Sequence, residues 1–328
     1  MSKAMILAPS GATLTDDERS FFRAADPWGF ILFARNVESP DQIRRLTGGL
    51  RDSVGRDAPI LIDQEGGRVQ RMRAPSWREW MPPLDETAFA NPRSFYLRYA
   101  LIAHELRSVG IDVNCAPCCD IAFAETHPFL RNRCLGESAD QVVPNARAAI
   151  EGHVLGGCLP VVKHVPGHGR ASLDSHLELP RVTTPIDELL LSDFKVFSAV
   201  SDAILAMSAH VIYTALDPDL PATLSRSVVE FIRTKIGMQG LLISDDLSMG
   251  ALSGSLGERV TLSLRAGCDV VLHCSGEMDE MTEVAGAVHA FSGQSLARAN
   301  RALAHRPTVS DIDVTALLDE YHATIGKT

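Results

Sequence analysis

Three short segments of this sequence combine acidic, basic and imidazole side chains with glycines. The first spans residues 60–71 and places Asp63 and Glu65 before a Gly-Gly pair, with Arg68 and Arg71 after it. A carboxylate that faces a site accepts paired hydrogen bonds from the vicinal hydroxyls of a sugar. Salt bridges between the two acids and the two arginines are the alternative, and the residue types alone leave both interpretations open.

The second segment, residues 163–176, contains a lysine, three histidines and an aspartate. Histidines beside an acid suggest a metal site, but the spacing of His164, His168 and His176 matches no familiar metal-binding pattern. Glycine and proline make the stretch a loop, and we expect no metal ion or other cofactor. Asp174 and His176 favour another use, because a carboxylate that holds one imidazole nitrogen leaves the other for proton transfer. A solvated polar loop is the alternative.

The third segment, residues 240–249, is an apolar run that ends in two consecutive acids. Asp245 is predicted to be the last residue of a strand, where a carboxylate acts as nucleophile, general base or metal ligand. Asp246 and Ser248 are alternatively helix N-caps, because Asp and Ser are preferred at that position. Asp245 is therefore the acid that we expect to point into a site.

A fourth segment contains the thiols of Cys115, Cys118 and Cys119. Cys115 and Cys118 have the C-x-x-C spacing, but no second pair with matching spacing follows, which disfavours zinc. We expect buried, reduced thiols that pack at the end of a strand.

The elements that must position these residues alternate between short apolar runs and longer amphipathic segments. The eight runs are residues 4–8, 29–33, 59–63, 111–116, 159–164, 203–209, 240–245 and 269–274. Each is of strand length with little polar alternation, which is typical of parallel strands buried on both faces. Helices are expected to begin near Thr15, Ser39, Ser138, Thr184 and Ser225, and a closing helix is expected over 311–324.

Eight strand-plus-helix units predict an α/β fold, a (β/α)8 TIM-type barrel that forms a single domain over residues 1–328. A doubly wound open sheet is the alternative, but the chain has no glycine-rich nucleotide loop. The polar residues Asp63, Lys163, His164, His210 and Asp245 end or follow the apolar runs. In a barrel these strand ends open onto one face, where the active site lies, although a lone polar residue there is often only a turn residue.

Composition restricts the class of protein further. The chain has 328 residues, 45% hydrophobic and 22% charged, with a formal net charge of −10. These values exclude a disordered chain, a collagen-like chain and a disulfide scaffold. The negative charge disfavours nucleic acid and anionic membranes as partners. Seven irregularly spaced cysteines, no signal-peptide core and no run near the roughly 20 apolar residues of a membrane helix predict a cytoplasmic protein.

The motifs together resemble a known family. Residues 63–69, residues 163–169 with 174–176, and residues 244–249 are similar to glycoside hydrolase family 3, and within it to the bacterial β-N-acetylhexosaminidases of peptidoglycan recycling. The resemblance spans about residues 20–255, with the motifs in the same order. Short members of this family are a single TIM-like barrel, which agrees with the fold expected from the apolar runs.

The resemblance implies a role for each matching residue. Asp245 corresponds to the catalytic nucleophile, and His176, paired with Asp174, corresponds to the acid/base. The positions that match sugar-binding residues are Asp63, Arg71, Arg133, Lys163 and His164. Arg133 rests on the weakest match, since this chain has Arg-Cys-Leu-Gly where the family usually has an Arg-Ser-Phe-Gly-like stretch. Arg131 is the alternative for that position.

The implied reaction is a retaining double displacement that removes terminal, non-reducing N-acetylglucosamine from peptidoglycan-derived muropeptides. A glycoside phosphorylase or a β-glucosidase of the same superfamily is the alternative, and a metal-dependent lyase or aldolase-like barrel is the alternative from another class. We expect a small carbohydrate as substrate, no nucleic acid or membrane partner, and a monomer.

Overall fold

The computed structural model describes residues 2–89, 91–171, 179–308 and 311–326. Eight parallel strands close into a barrel in which consecutive strands pair and the last pairs with the first. They are β1 (Lys3–Leu7), β2 (Pro27–Leu32), β3 (Ile60–Ile62), β4 (Val113–Asn114), β5 (Leu159–Val165), β6 (Leu205–Ser208), β7 (Leu241–Asp246) and β8 (Val270–His273). The predicted (β/α)8 TIM-type barrel is confirmed, and the open sheet is excluded.

The strands lack polar alternation because the barrel buries both of their faces. Every residue of β2 and β5 is buried. Each of the eight apolar runs overlaps one strand, but the bounds differ most at β4, which keeps only two residues of the run 111–116. Pro117, directly after this run, has no N–H to donate to a ladder. Outside the barrel, the short strands Arg181–Val182 and Ile212–Tyr213 pair in parallel.

Helices surround the barrel. They are α1 (Asp16–Ala25), α2 (Pro40–Val54), α3 (Pro83–Glu86), α4 (Pro92–Ser108), α5 (Pro128–Arg131), α6 (Ala139–Gly156), α7 (Ile186–Leu191), α8 (Asp193–Ala199), α9 (Arg226–Phe231), α10 (Leu256–Ala266), α11 (Met278–Ala287), α12 (Gly293–Ala304) and α13 (Val314–Thr324). A π-helical turn, Ile232–Ile236, extends α9. In the described part of the chain, no helix combines the length and the hydrophobicity required to traverse a lipid bilayer.

The helix starts follow the capping residues in most places. Thr15 forms a complete capping box with Glu18, and Ser39 accepts a hydrogen bond from the first turn of α2. Ser138 precedes α6 as expected but makes no side-chain cap bond. The N-cap interpretation of Asp246 and Ser248 is wrong, because the next helix, α10, begins only at Leu256.

Helices α4 and α6 approach each other closely through two glycines. A Cβ on Gly152 would overlap the carbonyl oxygen of Tyr96, and a Cβ on Gly156 would overlap that of Ala100. The two glycines lie four residues apart, so both face α4 from the same side of α6. Helix α6 also packs against β5 of the barrel.

The closing helix α13 is tied to the β3 loop by a buried polar chain. Tyr321 of α13 donates a hydrogen bond to Glu86 Oε2 over 2.9 Å. Glu86 forms a buried ion pair with Arg98 of α4, and Arg98 Nη2 donates to the backbone carbonyl of Glu65 over 2.8 Å. Neither Glu86 nor Arg98 is exposed. Removing one of the two would therefore leave the other as an unpaired buried charge, which is strongly destabilising.

We predict that Gly156→Ala lowers the free energy of unfolding by about 1–3 kcal/mol, because the methyl group forces α6 away from α4. Gly48→Ala, within α2, is the matched control: nothing lies within 4 Å of its added Cβ. That control gains about 0.5–1 kcal/mol from helix propensity. Urea denaturation of the two variants measures both effects, and equal shifts in the same direction would contradict the packing argument.

Candidate active site

A pocket lies at the carboxyl ends of the barrel strands, as the polar strand ends predict. Its empty volume, which includes space open to solvent, is ≈ 770 Å³. The charged and imidazole side chains that line it are Asp63, Arg68, Arg71, Arg133, Lys163, His164, His168, Asp245 and Asp246. Phe33, Phe129, Met207 and Met249 supply apolar surface. Residues from the ends of β3, β5 and β7 therefore meet in one cavity.

Asp63 holds two cations at the wall of the pocket. Its Oδ1 accepts a hydrogen bond from Lys163 Nζ over 2.8 Å, and its Oδ2 accepts one from Arg71 Nη2 over 3.2 Å. Burial alone would raise the pKa of Asp63, but Lys163 and Arg71 outweigh it and hold this pKa well below its usual range. Asp63 is therefore an ionised, pre-oriented hydrogen-bond acceptor at the wall of the pocket.

Glu65 lies behind the pocket and fixes two of its cations. Arg133 Nε and Nη2 donate to its two carboxylate oxygens over 2.9 and 2.8 Å, and Lys163 Nζ lies 2.6 Å from Oε1. Burial would raise the pKa of Glu65, yet Arg133 and Lys163 lower it to about 2. Burial likewise disfavours charged Lys163, but Asp63 and Glu65 raise the pKa of the ammonium group.

The alternative expectation for residues 60–71, that the two acids pair with the two arginines of the same segment, is correct for one acid only. Asp63 pairs with Arg71, whereas Glu65 pairs with the distant Arg133. The structure also separates the two candidate arginines. Arg133 lines the pocket, whereas Arg131 donates to the Phe123 carbonyl and pairs with Glu137 outside it.

His164 is oriented by a carboxylate that the sequence did not single out. Its Nδ1 donates to Asp120 Oδ2 over 2.7 Å, so its Nε2 faces Arg133 Nη2 at 3.5 Å. Burial raises the pKa of Asp120, but His164 and then His168 lower it to about 2. The signal that could have found Asp120 was its place after β4, because the other site residues also follow strands.

Asp245 lies on a β-bulge of β7 and is partly open to the pocket. The strand continues one residue past the predicted end, to Asp246. Between Ile243–Val270 and Asp246–Leu272, two residues of β7 are left opposite one of β8. Such bulges re-aim side chains next to active sites. Ser244 Oγ accepts the Leu272 N–H over 2.9 Å and thereby maintains the connection to β8.

The carboxylate of Asp245 is ionised in this environment. Burial would raise its pKa, but the neighbouring imidazoles of His210 and His164, the N–H of Asp246 and the Lys163 ammonium lower it. The Asp246 N–H donates to Asp245 Oδ1 over 2.9 Å. An ionised carboxylate at the floor of a cationic pocket can attack an electrophilic carbon or remove a proton.

A buried histidine supports the β3 end from behind. His153 of α6 stacks on Tyr99 and accepts a hydrogen bond from Asn114 Nδ2 at its Nε2, over 2.9 Å. Asn114 in turn brackets the backbone of Gln64, donating to its carbonyl and accepting from its N–H, each over 3.0 Å. Because Gln64 lies between Asp63 and Glu65, this chain of contacts fixes both acids.

The thiols are buried and unbonded to one another. Cys115, Cys118 and Cys119 are free and buried, in agreement with the sequence. Within the described residues, Cys118, Asp120 and His164 are the group whose donor atoms lie close enough for a metal ion. They already form a hydrogen-bond network, in which Cys118 Sγ donates to Asp120 over 3.3 Å. Burial raises the pKa of Cys118, which favours the thiol over the metal-binding thiolate.

The remaining predicted site residues, Asp174 and His176, lie outside the described residues, which stop at Ala171 and resume at Leu179. The described part of the site thus brings together Asp63, Arg71, Arg133, Lys163, His164 and Asp245, as the sequence predicted.

Comparison with known proteins defines the family of this site. The model of the glycosyl hydrolase family 3 N-terminal domain matches residues 10–305. The chain belongs to glycosyl hydrolase family 3. A beta-hexosaminidase of Pseudomonas aeruginosa is 34% identical over 282 residues, which are 84% of this chain and 83% of the relative. A beta-hexosaminidase of Methylococcus capsulatus is 36% identical over 273 residues, 81% of this chain and 80% of the relative.

Solved structures of family 3 have the same barrel. NagZ from Neisseria gonorrhoeae, in complex with N-trifluoroacetyl-D-glucosamine, has a TM-score of 0.87 to this chain at 28% identity, with 99% of this chain and 96% of NagZ covered. The resemblance to family 3 is thereby confirmed, and the chain is a glycoside hydrolase.

We predict that stability falls as the pH drops below 6.5, because burial lowers the pKa of His153 and of His168 to about 4. The unfolded chain then binds protons that the folded chain excludes, so each histidine costs about 2 kcal/mol between pH 7.5 and 5.0. His153→Gln keeps an amide near the Nε2 position and removes one titration.

Chemical denaturation at the two pH values measures this effect. The pH-dependent loss of stability in His153→Gln should be smaller than in wild type by one histidine's share. His322→Gln, at an exposed position of α13, controls for the loss of one imidazole. An unchanged pH dependence in His153→Gln would show that His153 does not carry this cost.

Proposed function

We propose that this chain is a retaining β-N-acetylglucosaminidase with Asp245 as the nucleophile. The observation that carries the proposal is the place of Asp245: an ionised carboxylate on a bulge, at the floor of a pocket whose walls hold Asp63, Lys163 and Arg133 for sugar hydroxyls. Vicinal hydroxyls require alternating donors and acceptors, and this fixed set of charges offers both.

In the first step, a terminal sugar lies in the pocket with its hydroxyls bound by Asp63, Arg71, Arg133, Lys163 and His164. Asp245 attacks the anomeric carbon as the glycosidic bond breaks, and His176 gives a proton to the leaving oxygen. The product is a covalent glycosyl ester on Asp245. In the second step, His176 takes a proton from water, which attacks the anomeric carbon and releases the sugar and the free carboxylate.

A histidine suits the acid/base role because its unperturbed pKa lies close to neutral pH. Asp174, two residues earlier, would orient the imidazole and stabilise its protonated form. A carboxylic acid in this role must instead have its pKa raised by its surroundings. With His176 as the acid/base, the site needs no second carboxyl group with a raised pKa.

The sugar and the aglycone are inferred from the relatives. Curated relatives are beta-hexosaminidases, and the NagZ structure contains a glucosamine derivative acylated on nitrogen. We infer that the substrate is a peptidoglycan-derived muropeptide with terminal β-linked N-acetylglucosamine. We also propose that the protein works as a monomer of one domain in the cytoplasm.

One assay tests this function against its alternatives. Wild-type protein is given a chromogenic β-N-acetylglucosaminide and the matching β-glucoside, each with and without inorganic phosphate. Preferential release from the glucosaminide, with free sugar as the product in both buffers, supports the hydrolase. Sugar 1-phosphate formed only with phosphate would make the protein a phosphorylase, and preference for the glucoside would make it a β-glucosidase.

We predict that Asp245→Ala and Asp245→Asn each lower kcat by several orders of magnitude, because loss of a covalent nucleophile removes the glycosyl ester. Asp245→Asn is the matched variant: it keeps the size of the side chain and an oxygen for the Asp246 N–H. Both should unfold at the wild-type temperature and bind N-acetylglucosamine. Retention of more than about a tenth of wild-type activity would refute the nucleophile assignment.

We predict that His176→Ala harms substrates with poor leaving groups far more than activated aryl glycosides. A good leaving group needs little protonation, so glycosylation proceeds, while deglycosylation lacks its base. The activated substrate should therefore give a burst and an accumulated glycosyl–enzyme. Azide, an anionic nucleophile that needs no base, should restore the second step.

Asp174→Asn provides the graded comparison, because the imidazole loses its orienting charge but remains in place. Its losses should follow the same leaving-group pattern and be smaller. Stopped-flow measurement of the burst and product analysis of the glycosyl azide check both variants. Equal losses on both classes of substrate, without a burst or azide rescue, would remove His176 from the acid/base role.

A further inference from the structure

The bulge that carries Asp245 is held on its β6 side by a side chain. The ladder between β6 and β7 runs from Leu205–Leu241 to Met207–Ile243, whereas β7 continues to Asp246. His210 follows β6 by two residues, and its Nε2 lies 2.9 Å from the carbonyl oxygen of Asp246. A carbonyl only accepts, so Nε2 donates, and the imidazole replaces a ladder bond at this point.

Both backbone polar groups of Asp246 are thus fixed by hydrogen bonds. The N–H of Asp246 donates to Asp245 Oδ1, and the carbonyl of Asp246 accepts from His210. The Asp246 side chain adds a third restraint, because its Oδ1 accepts the N–H groups of Ser248 and Cys274 over 3.0 and 3.2 Å. The direction of the Asp245 carboxylate follows from this backbone.

His210 is itself held rigidly. It is fully buried, and its Nδ1 lies 2.8 Å from Thr223 Oγ1. Thr223 Oγ1 also contacts Ser208 Oγ over 2.8 Å and donates to the Ala209 carbonyl over 3.0 Å. His210 therefore connects a buried hydroxyl pair on β6 and its following loop to the backbone of the bulge. The imidazole does not line the pocket.

We propose that His210 is a positioning residue for the nucleophile: by donating to the Asp246 carbonyl it sets the angle at which Asp245 meets the anomeric carbon. This inference rests on the proposed function, in which Asp245 forms the glycosyl ester. The ladder between β6 and β7 ends at Ile243, so the side-chain bond to the Asp246 carbonyl replaces backbone pairing directly after the residue whose direction decides the rate. Misplacement of a reacting group by about 1 Å can cost about 100-fold in rate.

Two nearly isosteric substitutions separate the two ends of the imidazole. In His210→Gln the amide nitrogen occupies the position of Nε2, so the bond to Asp246 is kept and the contact with Thr223 is lost. In His210→Asn the amide reaches only the position of Nδ1, so the contact with Thr223 is kept and the bond to Asp246 is lost. The two variants therefore differ in whether the hydrogen bond to the Asp246 carbonyl is kept.

The variants are compared with wild type in kcat on a chromogenic β-N-acetylglucosaminide, in the inhibition constant of N-acetylglucosamine, and in melting temperature. We expect kcat to fall about 100-fold in His210→Asn, with the inhibition constant unchanged because the sugar contacts remain. His210→Gln should recover most of kcat. Asp245→Asn marks the background rate in the same assay.

Three results would overturn the inference: wild-type kcat in His210→Asn, equal losses in both variants, or a His210→Asn protein that is unfolded at the assay temperature. Either of the first two results would show that kcat does not depend on the bond to Asp246. The third would show that this bond is required for folding. Failure of the proposed function has a different signature, since wild-type protein would then release no N-acetylglucosamine in the same assay.

Discussion

The buried charge cluster of Asp63, Glu65, Lys163 and Arg133 is the interaction on which the rest of the site depends. Each of these ions would be costly to bury alone, and each is paired at hydrogen-bond distance. The cluster therefore acts as a unit that ties the ends of β3 and β5 to the loop after α5. Because its members come from distant parts of the chain, it can form only once the ends of β3 and β5 and the loop after α5 have come together.

Support for this cluster extends to the outer layer of the fold. Arg98 donates to the Glu65 backbone from α4, and a Cβ on Gly66 would overlap its guanidinium, so the glycine is required at a φ of 103°. Tyr321 of α13 reaches the same arginine through Glu86. The helices α4 and α13 thus support the charges of the pocket from behind.

The sequence predicted the barrel and most of the pocket for one physical reason. Apolar runs without alternation identify parallel strands, and the carboxyl ends of such strands converge, so Asp63, Lys163 and Asp245 were expected together. What it could not predict were pairings across long separations, such as Glu65 with Arg133, 68 residues away. Neither the bulge at Asp245 nor the contact of Asp120 with His164 has a local pattern, because each depends on which strands become neighbours.

The bulge has a consequence for how such a barrel changes over evolutionary time. In an extended strand, the face to which a side chain points depends on how many residues precede it. Two residues of β7 lie opposite one residue of β8. The direction of the Asp245 side chain therefore depends on the number of residues in the strand as well as on the identity of the residue. Deleting a single residue there would restore a regular ladder and turn the carboxylate away from the cavity. The charged residues that other segments supply to the pocket, Asp63, Arg133 and Lys163 among them, would stay in place.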